Sequence, residues 1–304
     1  AVLTNGFVGY YTATLPGGKE YGSGYLTLTV DKAGAVKTAG MLADGTSVST
    51  SGPMILDETG RLFVVIYATP SFYKGGSLFG LAEFVRGSGA ASTFVRPLNG
   101  ELLWANSNPQ ATADYGAGFS RSVNLVGGWY DTVGNLYRYY AGRELSIDAN
   151  SDAAAPELSV GTNRYASVWW RPDGVGVTIS TNRSGVMTGL SAAPAGRPIQ
   201  TVDGYEYESV TNAVALTLSL TKATGVFKGA FNLWFDYATT HTSKQVRYEG
   251  VLTPVRSDSA VDPTEGRGFF LWSEKSAYRN AKNQTIPYSF NESYDLFLLA
   301  SPQE

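Results

Sequence analysis

An internal repeat at an offset of about 150 residues constrains the fold of this 304-residue chain more than any other feature. The segment at 77–105 is echoed by the segment at 226–255. The anchors of the match are glycines and one aromatic pair: Gly80 with Gly229, Gly100 with Gly250, Gly118 with Gly268 and Phe119 with Phe269. We therefore predict two copies of one unit, over 1–148 and 159–304, joined by a linker at 149–158.

Period-two alternation of apolar and polar residues runs along nearly the whole chain and is typical of β-strands. In YLTLTV, for example, Leu26, Leu28 and Val30 share one face. LFVVIY at 62–67 and YDLFLL at 294–299 are apolar on both faces, which favours strands covered on both sides. The sequence predicts an all-β fold, with two homologous antiparallel barrel- or sandwich-like units in tandem.

The composition excludes several classes of partner and of chemistry. A net charge of −3 with 16% charged residues leaves no basic stripe for nucleic acid or anionic lipid. No apolar run approaches the roughly 20 residues that a membrane-spanning helix needs, so we expect no membrane insertion. The chain has no cysteine and one histidine, and its glycine pairs do not fit a phosphate-binding loop. We therefore expect no cofactor.

The start of the sequence and its composition favour an extracellular or cell-surface location. The chain begins at Ala1 without an initiator methionine, as a mature protein does after its signal peptide is removed. Tyrosine, threonine, serine and glycine are abundant, whereas lysine and arginine total only 23. We expect a secreted or surface-displayed protein on these grounds.

One stretch carries the spacing of a calcium loop, formed by Asp148, Asn150 and Asp152. Loops of that type need glycine at the sixth position and glutamate at the twelfth, where this chain has Ala153 and Ser159. We therefore predict a solvated linker and no metal site, with calcium binding here as the alternative.

Candidate catalytic groups are few. Glu206 and Glu208 would share one face of a strand at a spacing compatible with glycoside hydrolysis, but we favour a polar solvent-facing edge as the explanation. Glu83 aligns in the repeat with Asn232, which predicts a solvated outward position for both. His241 lies in a polar stretch that the repeat places between two strands, so we expect a loop histidine. We predict no catalytic site and no enzymatic activity.

Aromatic residues are the remaining candidates for a binding function, with six tryptophans, nineteen tyrosines and fourteen phenylalanines. Many are adjacent in sequence, so in a strand one member can be buried while the other faces outward. The candidate binding residues chosen on this basis are Trp169, Tyr165, Trp129, Tyr130 and Tyr73. Such rings could stack on sugars, anchor a protein interface or pack between the two units.

Several glycine and aromatic motifs resemble those of a known family. The motifs are LADGT at 42–46, GELLW at 100–104, YGAGF at 115–119, TGVFKG at 224–229 and GRGFFL at 266–271. Together they resemble a β-rich glycine/aromatic repeat module of large uncharacterised secreted bacterial surface proteins, often combined there with immunoglobulin-like repeats. The resemblance implies an extracellular, non-enzymatic setting and gives no residue a role.

The sequence thus favours a structural or adhesive surface protein that mediates assembly or attachment. Its expected partners are other protein subunits or a surface polymer or glycan. Carbohydrate binding through exposed aromatics is the alternative, and a glycosidase with an unrecognised carboxylate pair is the third interpretation. Flat apolar patches and open strand edges would favour assembly, whereas a concave aromatic strip with polar neighbours would favour sugar binding.

Overall fold

A computed structural model describes most of the chain as strands. The described backbone covers residues 6–17, 22–71, 73, 75–87, 93–107, 118–132, 144–148, 157–159, 165–170, 175–181, 186–191, 196–201, 204–209, 217–237, 240–254, 264–279 and 285–300. Side chains are described over residues 6–17, 22–71, 73, 75–87, 93–107, 118–132, 217–232, 244–254, 266–272 and 293–298.

Every regular element in the described backbone is a strand. The first eleven are β1 Gly9–Leu15, β2 Gly24–Val30, β3 Ala35–Met41, β4 Ser47–Pro53, β5 Ile55–Leu56, β6 Leu62–Ala68, β7 Ser77–Val85, β8 Phe94–Pro97, β9 Leu102–Asn106, β10 Phe119–Val123 and β11 Val126–Trp129. The other twelve are β12 Glu144–Asp148, β13 Glu157–Ser159, β14 Tyr165–Trp170, β15 Val175–Thr181, β16 Val186–Ser191, β17 Gly196–Thr201, β18 Gly204–Ser209, β19 Thr217–Thr221, β20 Val226–Tyr237, β21 Thr240–Pro254, β22 Thr264–Arg279 and β23 Thr285–Ala300.

The first sheet is a curled antiparallel sheet that follows the order of the chain. On one side of β1, the strands β2, β3 and β4 follow in that order, each paired with the one before it. On the other side of β1, the order is β11, β8, β7 and β6. The curl brings β4 beside β6, with contacts along the two strands. A ribbon of β9 and β10 extends from the edge of β7, and the short β5 pairs with β6.

The second sheet is also antiparallel. Its pairings run from β12 through β15, β16 and β19 to β20, and from β12 through β23 and β22 to β21, which pairs with β20. Strand β14 adds β13 to the edge of β20, and β17 and β18 form a separate hairpin. The prediction of an all-β fold is confirmed.

The change from the first sheet to the second comes earlier in the chain than the expected linker at 149–158. Strand β12, Glu144–Asp148, pairs with β15 and β23 and so belongs to the second sheet. The matched glycines Gly80 and Gly229 lie in β7 and β20, where each faces a buried aliphatic residue of the preceding strand. That the two units superimpose stays a prediction.

The core of the first sheet lies on its inner face, where the predicted alternation holds. In β2, Leu26, Leu28 and Val30 are buried while Thr29 is exposed. The main side chains of this core are Tyr11, Ala13, Leu26, Leu28, Val36, Val64, Ile66, Leu78, Ala82, Phe84, Val95 and Leu102. The cluster also contains Phe269, which comes from β22 of the second sheet. The two sheets therefore share one apolar interior.

Hydrogen bonds join the outer face of β1 and β2 to strands of the second sheet. We call this junction the seam; its contacts outside the core are formed by Tyr10, Thr12, Ser23, Tyr25, Ala43, Tyr130, Lys222, Thr224, Glu249, Leu252, Gly268, Ser293 and Asp295. The Thr12 hydroxyl donates to the Leu252 carbonyl at 2.6 Å, and the Ser23 N–H lies 3.2 Å from the Gly268 carbonyl. The Thr12 hydroxyl and the Ser23 backbone N–H thus meet partners from the second sheet instead of water.

Tyr130 fills one end of the seam. Its hydroxyl donates to the Lys222 carbonyl at 2.6 Å, and its ring meets Tyr10 edge-on at 5.9 Å. The ring lies against the turn before β20, where Gly225 has a φ of +67° and where a Cβ atom would approach a Tyr130 ring carbon to 2.6 Å. Glycine is required here both for the backbone conformation and for the close approach of the ring.

Replacing Gly225 with alanine should destabilise the protein by about 3 kcal/mol, because the strained φ and the overlap with the Tyr130 ring add together. Gly60→Ala is the matched control, since Gly60 has a φ of +84° with no atom within 4 Å of an added Cβ. The control should lose about 1 kcal/mol. Urea unfolding of the two variants measures the difference, and equal losses would show that Tyr130 does not pack against this turn.

Asp295 places a buried carboxylate at the seam. Its Oδ1 accepts a hydrogen bond from the Ser23 N–H at 3.1 Å. Burial raises the pKa of Asp295 to about 6, and the Ser23 hydrogen bonds and the positive charge of Arg267 limit that rise. The folded protein therefore binds a proton at Asp295 more tightly than the unfolded chain does.

The stability that this proton contributes is fully present below the ordinary aspartate pKa of about 4 and is lost as the pH rises through about 6. Relative to Asp295→Asn, which keeps an acceptor for Ser23, the unmodified protein should lose about 2 kcal/mol between about pH 4.5 and about pH 7.5. Urea unfolding at both pH values gives the difference. Parallel pH dependences would mean that Asp295 titrates as it does in the unfolded chain.

Candidate functional site

A patch of apolar side chains lies exposed on the outer face of β5, β6, β7 and β9. We call it the outer apolar face, formed by Ile55, Phe63, Val65, Tyr67, Phe79, Leu81 and Leu103. Tyr67 is 57% exposed and Phe79 is 46% exposed. Monomeric soluble proteins rarely leave contiguous apolar surface of this kind uncovered, so the patch is the leading candidate for a functional surface.

Strand pairing places these residues in rows across the sheet. Tyr67 lies opposite Phe79, and Phe79 lies opposite Leu103, so the three form one row over three strands. The rings of Tyr67 and Phe79 are 6.1 Å apart and meet at 78°, edge to face. Val65 and Leu81 form the next row along the same face.

An ion pair between an exposed arginine and a buried carboxylate borders one end of the outer apolar face. Glu83 Oε2 lies 2.8 Å from Arg96 Nε, and the carboxylate is buried beneath the arginine. Glu83 does point away from Ala82 and Phe84, as the repeat predicts, but its expected solvation is wrong. The side chains that form the face are all uncharged, and the two opposite charges at its border are paired with each other.

The expectation that LFVVIY is covered on both sides is wrong. Leu62, Val64 and Ile66 are buried in the core, whereas Val65 and Tyr67 are exposed on the outer face. A strand that is apolar on both faces predicts burial only if a second layer covers it. The second sheet covers β1 and β2 instead, so the same sequence pattern marks an open apolar surface.

Tyr73, predicted as a binding residue, lies in the interior with 4% of its surface exposed. Its hydroxyl donates to Asp44 Oδ2 at 2.6 Å and accepts a hydrogen bond from Trp104 Nε1 at 2.9 Å. Burial raises the pKa of the Asp44 carboxyl despite the Tyr73 and Thr46 hydrogen bonds that lower it. Tyr73 therefore joins three chain segments and offers no ring to a ligand at the surface.

The pair Trp129 and Tyr130 is covered as well. Tyr130 is 1% exposed at the seam, and Trp129 is half-buried against the core of the first sheet. The adjacent residues Tyr10 and Tyr11 also lie in these two places: Tyr11 is in the core of the first sheet, and the Tyr10 hydroxyl donates a hydrogen bond to the Thr224 carbonyl at the seam. Of the three roles open to these aromatics, packing between the units is the one that the geometry of Tyr10 and Tyr130 fits.

The candidates Tyr165 and Trp169 lie in β14, of which the backbone alone is described. Val168 pairs with Phe235 and Trp170 pairs with Trp234, so the register shifts at Trp169. A β-bulge of this kind interrupts strict alternation of side chains. That Tyr165 and Trp169 are binding residues stays a prediction.

The candidate metal and catalytic residues fall mostly where side chains are not described. Asp148 ends β12, while Asn150 and Asp152 lie outside the described residues. His241 is in β21 opposite Asp236, so it belongs to a strand and not to the expected loop. Glu206 and Glu208 lie in β18. Where side chains are described, no three histidine or carboxylate side chains cluster as a metal site would require.

Comparisons with known proteins give no relative on which to base a function. A scan against protein-family models, a search of curated proteins and a search of solved structures each returned no match to this chain. The described part of the chain also contains no helix long and apolar enough to cross a membrane.

Tyr73→Phe should destabilise the protein by about 2 kcal/mol or more, because both Asp44 and the Trp104 indole lose a buried hydrogen-bonding partner. Tyr67→Phe removes the same hydroxyl from an exposed ring and should change stability by less than about 0.5 kcal/mol. Thermal or urea unfolding compares the two variants. If both variants kept full stability, the Tyr73 hydroxyl would not hold these groups together.

Proposed function

We propose that this chain is a non-catalytic structural protein, secreted or displayed at a cell surface, that assembles through the outer apolar face with a second copy of itself. The observation that carries the proposal is the exposed row of Tyr67, Phe79 and Leu103 across three paired strands. The abundance of tyrosine, threonine and serine and the scarcity of charge support an extracellular location.

The orientation of the rings favours a protein partner over a sugar. A sugar-binding strip presents flat ring faces side by side, so that successive sugar rings can stack on them. Tyr67 and Phe79 meet at 78°, so only one of them can lie flat against a given ligand surface. Perpendicular rings instead leave clefts that aliphatic and aromatic side chains of a protein fill.

The charge pattern and the fold favour a second copy as that protein. The centre of the face is uncharged, so two identical faces meet without repulsion, as a two-fold interface requires. The chain already buries one outer face of its first sheet beneath another sheet, at the seam. Packing a second copy on the remaining open face would repeat that arrangement, with the two sheets about 10 Å apart.

Sedimentation equilibrium over a concentration series tests the proposal. The unmodified chain should form a dimer, and the double variant Tyr67→Ser with Phe79→Ser should weaken the association about thirtyfold or more, because truncating the two interface anchors costs about 1 kcal/mol or more each, about 2 kcal/mol together. Val126→Ser is the control, since Val126 is also exposed but lies on β11.

Two results would contradict the proposal. One is a chain that stays monomeric at about 0.1 mM, a concentration that detects association energies near 5.5 kcal/mol. The other is a dimer that the double variant leaves unchanged. A monomer that binds a polysaccharide, and loses that binding in the double variant, would instead establish the carbohydrate-binding alternative.

A further inference from the structure

An asparagine–glycine pair, Asn99–Gly100, lies in the turn between β8 and β9. Both residues are exposed, and a Cβ atom built on Gly100 would meet no atom of the described residues within 4 Å. The turn begins beside the outer apolar face, where the Leu98 N–H donates to the Leu81 carbonyl at 2.9 Å. The space around the Asn99 side chain and the following peptide group is therefore open enough for the turn to change conformation.

Asparagine followed by glycine is the pair in which a protein chain most readily attacks its own side chain. The glycine amide nitrogen is the nucleophile, the asparagine Cγ atom is the electrophile, and their bond closes a five-membered imide ring. Glycine has no side chain to hinder the attack, and it lets the backbone rotate into the conformation that the ring requires. An exposed turn permits that rotation, whereas paired strands resist it.

Arg61 approaches the oxygen on which negative charge develops during that attack. Its Nη1 donates to Asn99 Oδ1 at 3.4 Å. The arginine is held by its own turn, since its Nε lies 2.8 Å from Asp57 Oδ2 and 3.0 Å from Thr59 Oγ1. A cation fixed beside a developing oxyanion stabilises the transition state more than the ground state, so this contact favours the reaction at Asn99.

We infer that Asn99–Gly100 is a site of self-modification, at which the Gly100 amide nitrogen displaces Nδ2 of Asn99 with the help of Arg61. The bond from the Gly100 nitrogen to Cγ forms, the Cγ–Nδ2 bond breaks, and ammonia leaves with the proton of the Gly100 amide. Water then opens the imide at either carbonyl and leaves aspartate or isoaspartate at position 99. Each converted chain gains a carboxylate beside Arg61, at the border of the outer apolar face. The reaction does not depend on self-association.

Incubation of the full chain at neutral pH, followed by cleavage after glutamate and mass spectrometry, tests the inference. Cleavage releases the peptide 84–101, whose only asparagine is Asn99, and the peptide 1–20, whose only asparagine is Asn5 in the other asparagine–glycine pair. Relative to a sample digested without incubation, the peptide 84–101 should gain the mass of an acid in place of an amide and separate into aspartate and isoaspartate forms. A peptide 84–101 that keeps its amide would overturn the inference.

Arg61→Met tests the role of the arginine, and Lys37→Met is the matched control because Lys37 is an exposed cation on β3. Arg61→Met should slow the conversion of Asn99 about fivefold, which corresponds to about 1 kcal/mol of activation free energy. It should leave the conversion of Asn5 unchanged, and Lys37→Met should change neither rate. Unchanged or faster conversion of Asn99 in Arg61→Met would overturn the role of Arg61. Circular dichroism checks that the variants are folded, and Arg61→Gln replaces Arg61→Met if that variant is not.

Discussion

The burial of the outer face of β1 and β2 beneath β21 and β22 is the contact on which the rest of this structure depends. Phe269 enters the core of the first sheet from β22, and the hydroxyl of Thr12 donates its hydrogen bond to the Leu252 carbonyl. A lone first sheet would expose the apolar surface that Phe269 covers and leave these polar groups to water. The two sheets therefore stabilise each other, and neither half has a complete interior without the other.

This arrangement divides the outer surface of the first sheet into a covered region and an open one. The covered region is polar, and the hydroxyls of Tyr10, Thr12 and Tyr25 form hydrogen bonds across the seam. The open region is more apolar, with Tyr67, Phe79 and Leu103 exposed in one row. An apolar surface that the chain does not cover itself is the physical basis for proposing a partner there. Its lack of central charge is the basis for proposing a second copy.

Local patterns in the sequence predicted local structure well and tertiary contacts poorly. Alternation in β2 identified Leu26, Leu28 and Val30 as core, because one face of a strand is readable from four or five residues. The environment of Tyr130 depends on a turn more than ninety residues away in the chain, and no local sequence pattern shows that this turn lies next to Tyr130 in space. The same limit hid the outer apolar face, since a strand that is apolar on both sides does not reveal which side is covered. The contact between Arg61 and Asn99 likewise joins turns that are distant in the chain.

Native-state hydrogen exchange across the seam tests the central claim most directly. If the two sheets form one cooperative structure, the amides of β1 and β2 should become exchangeable with the same free energy of opening as those of β21 and β22. The shared core residue Phe269 and the hydrogen bonds of Thr12 and Ser23 predict that result. An opening of β21 and β22 at lower free energy, with β1 and β2 still protected, would contradict the account, because the first sheet would then be stable without the second.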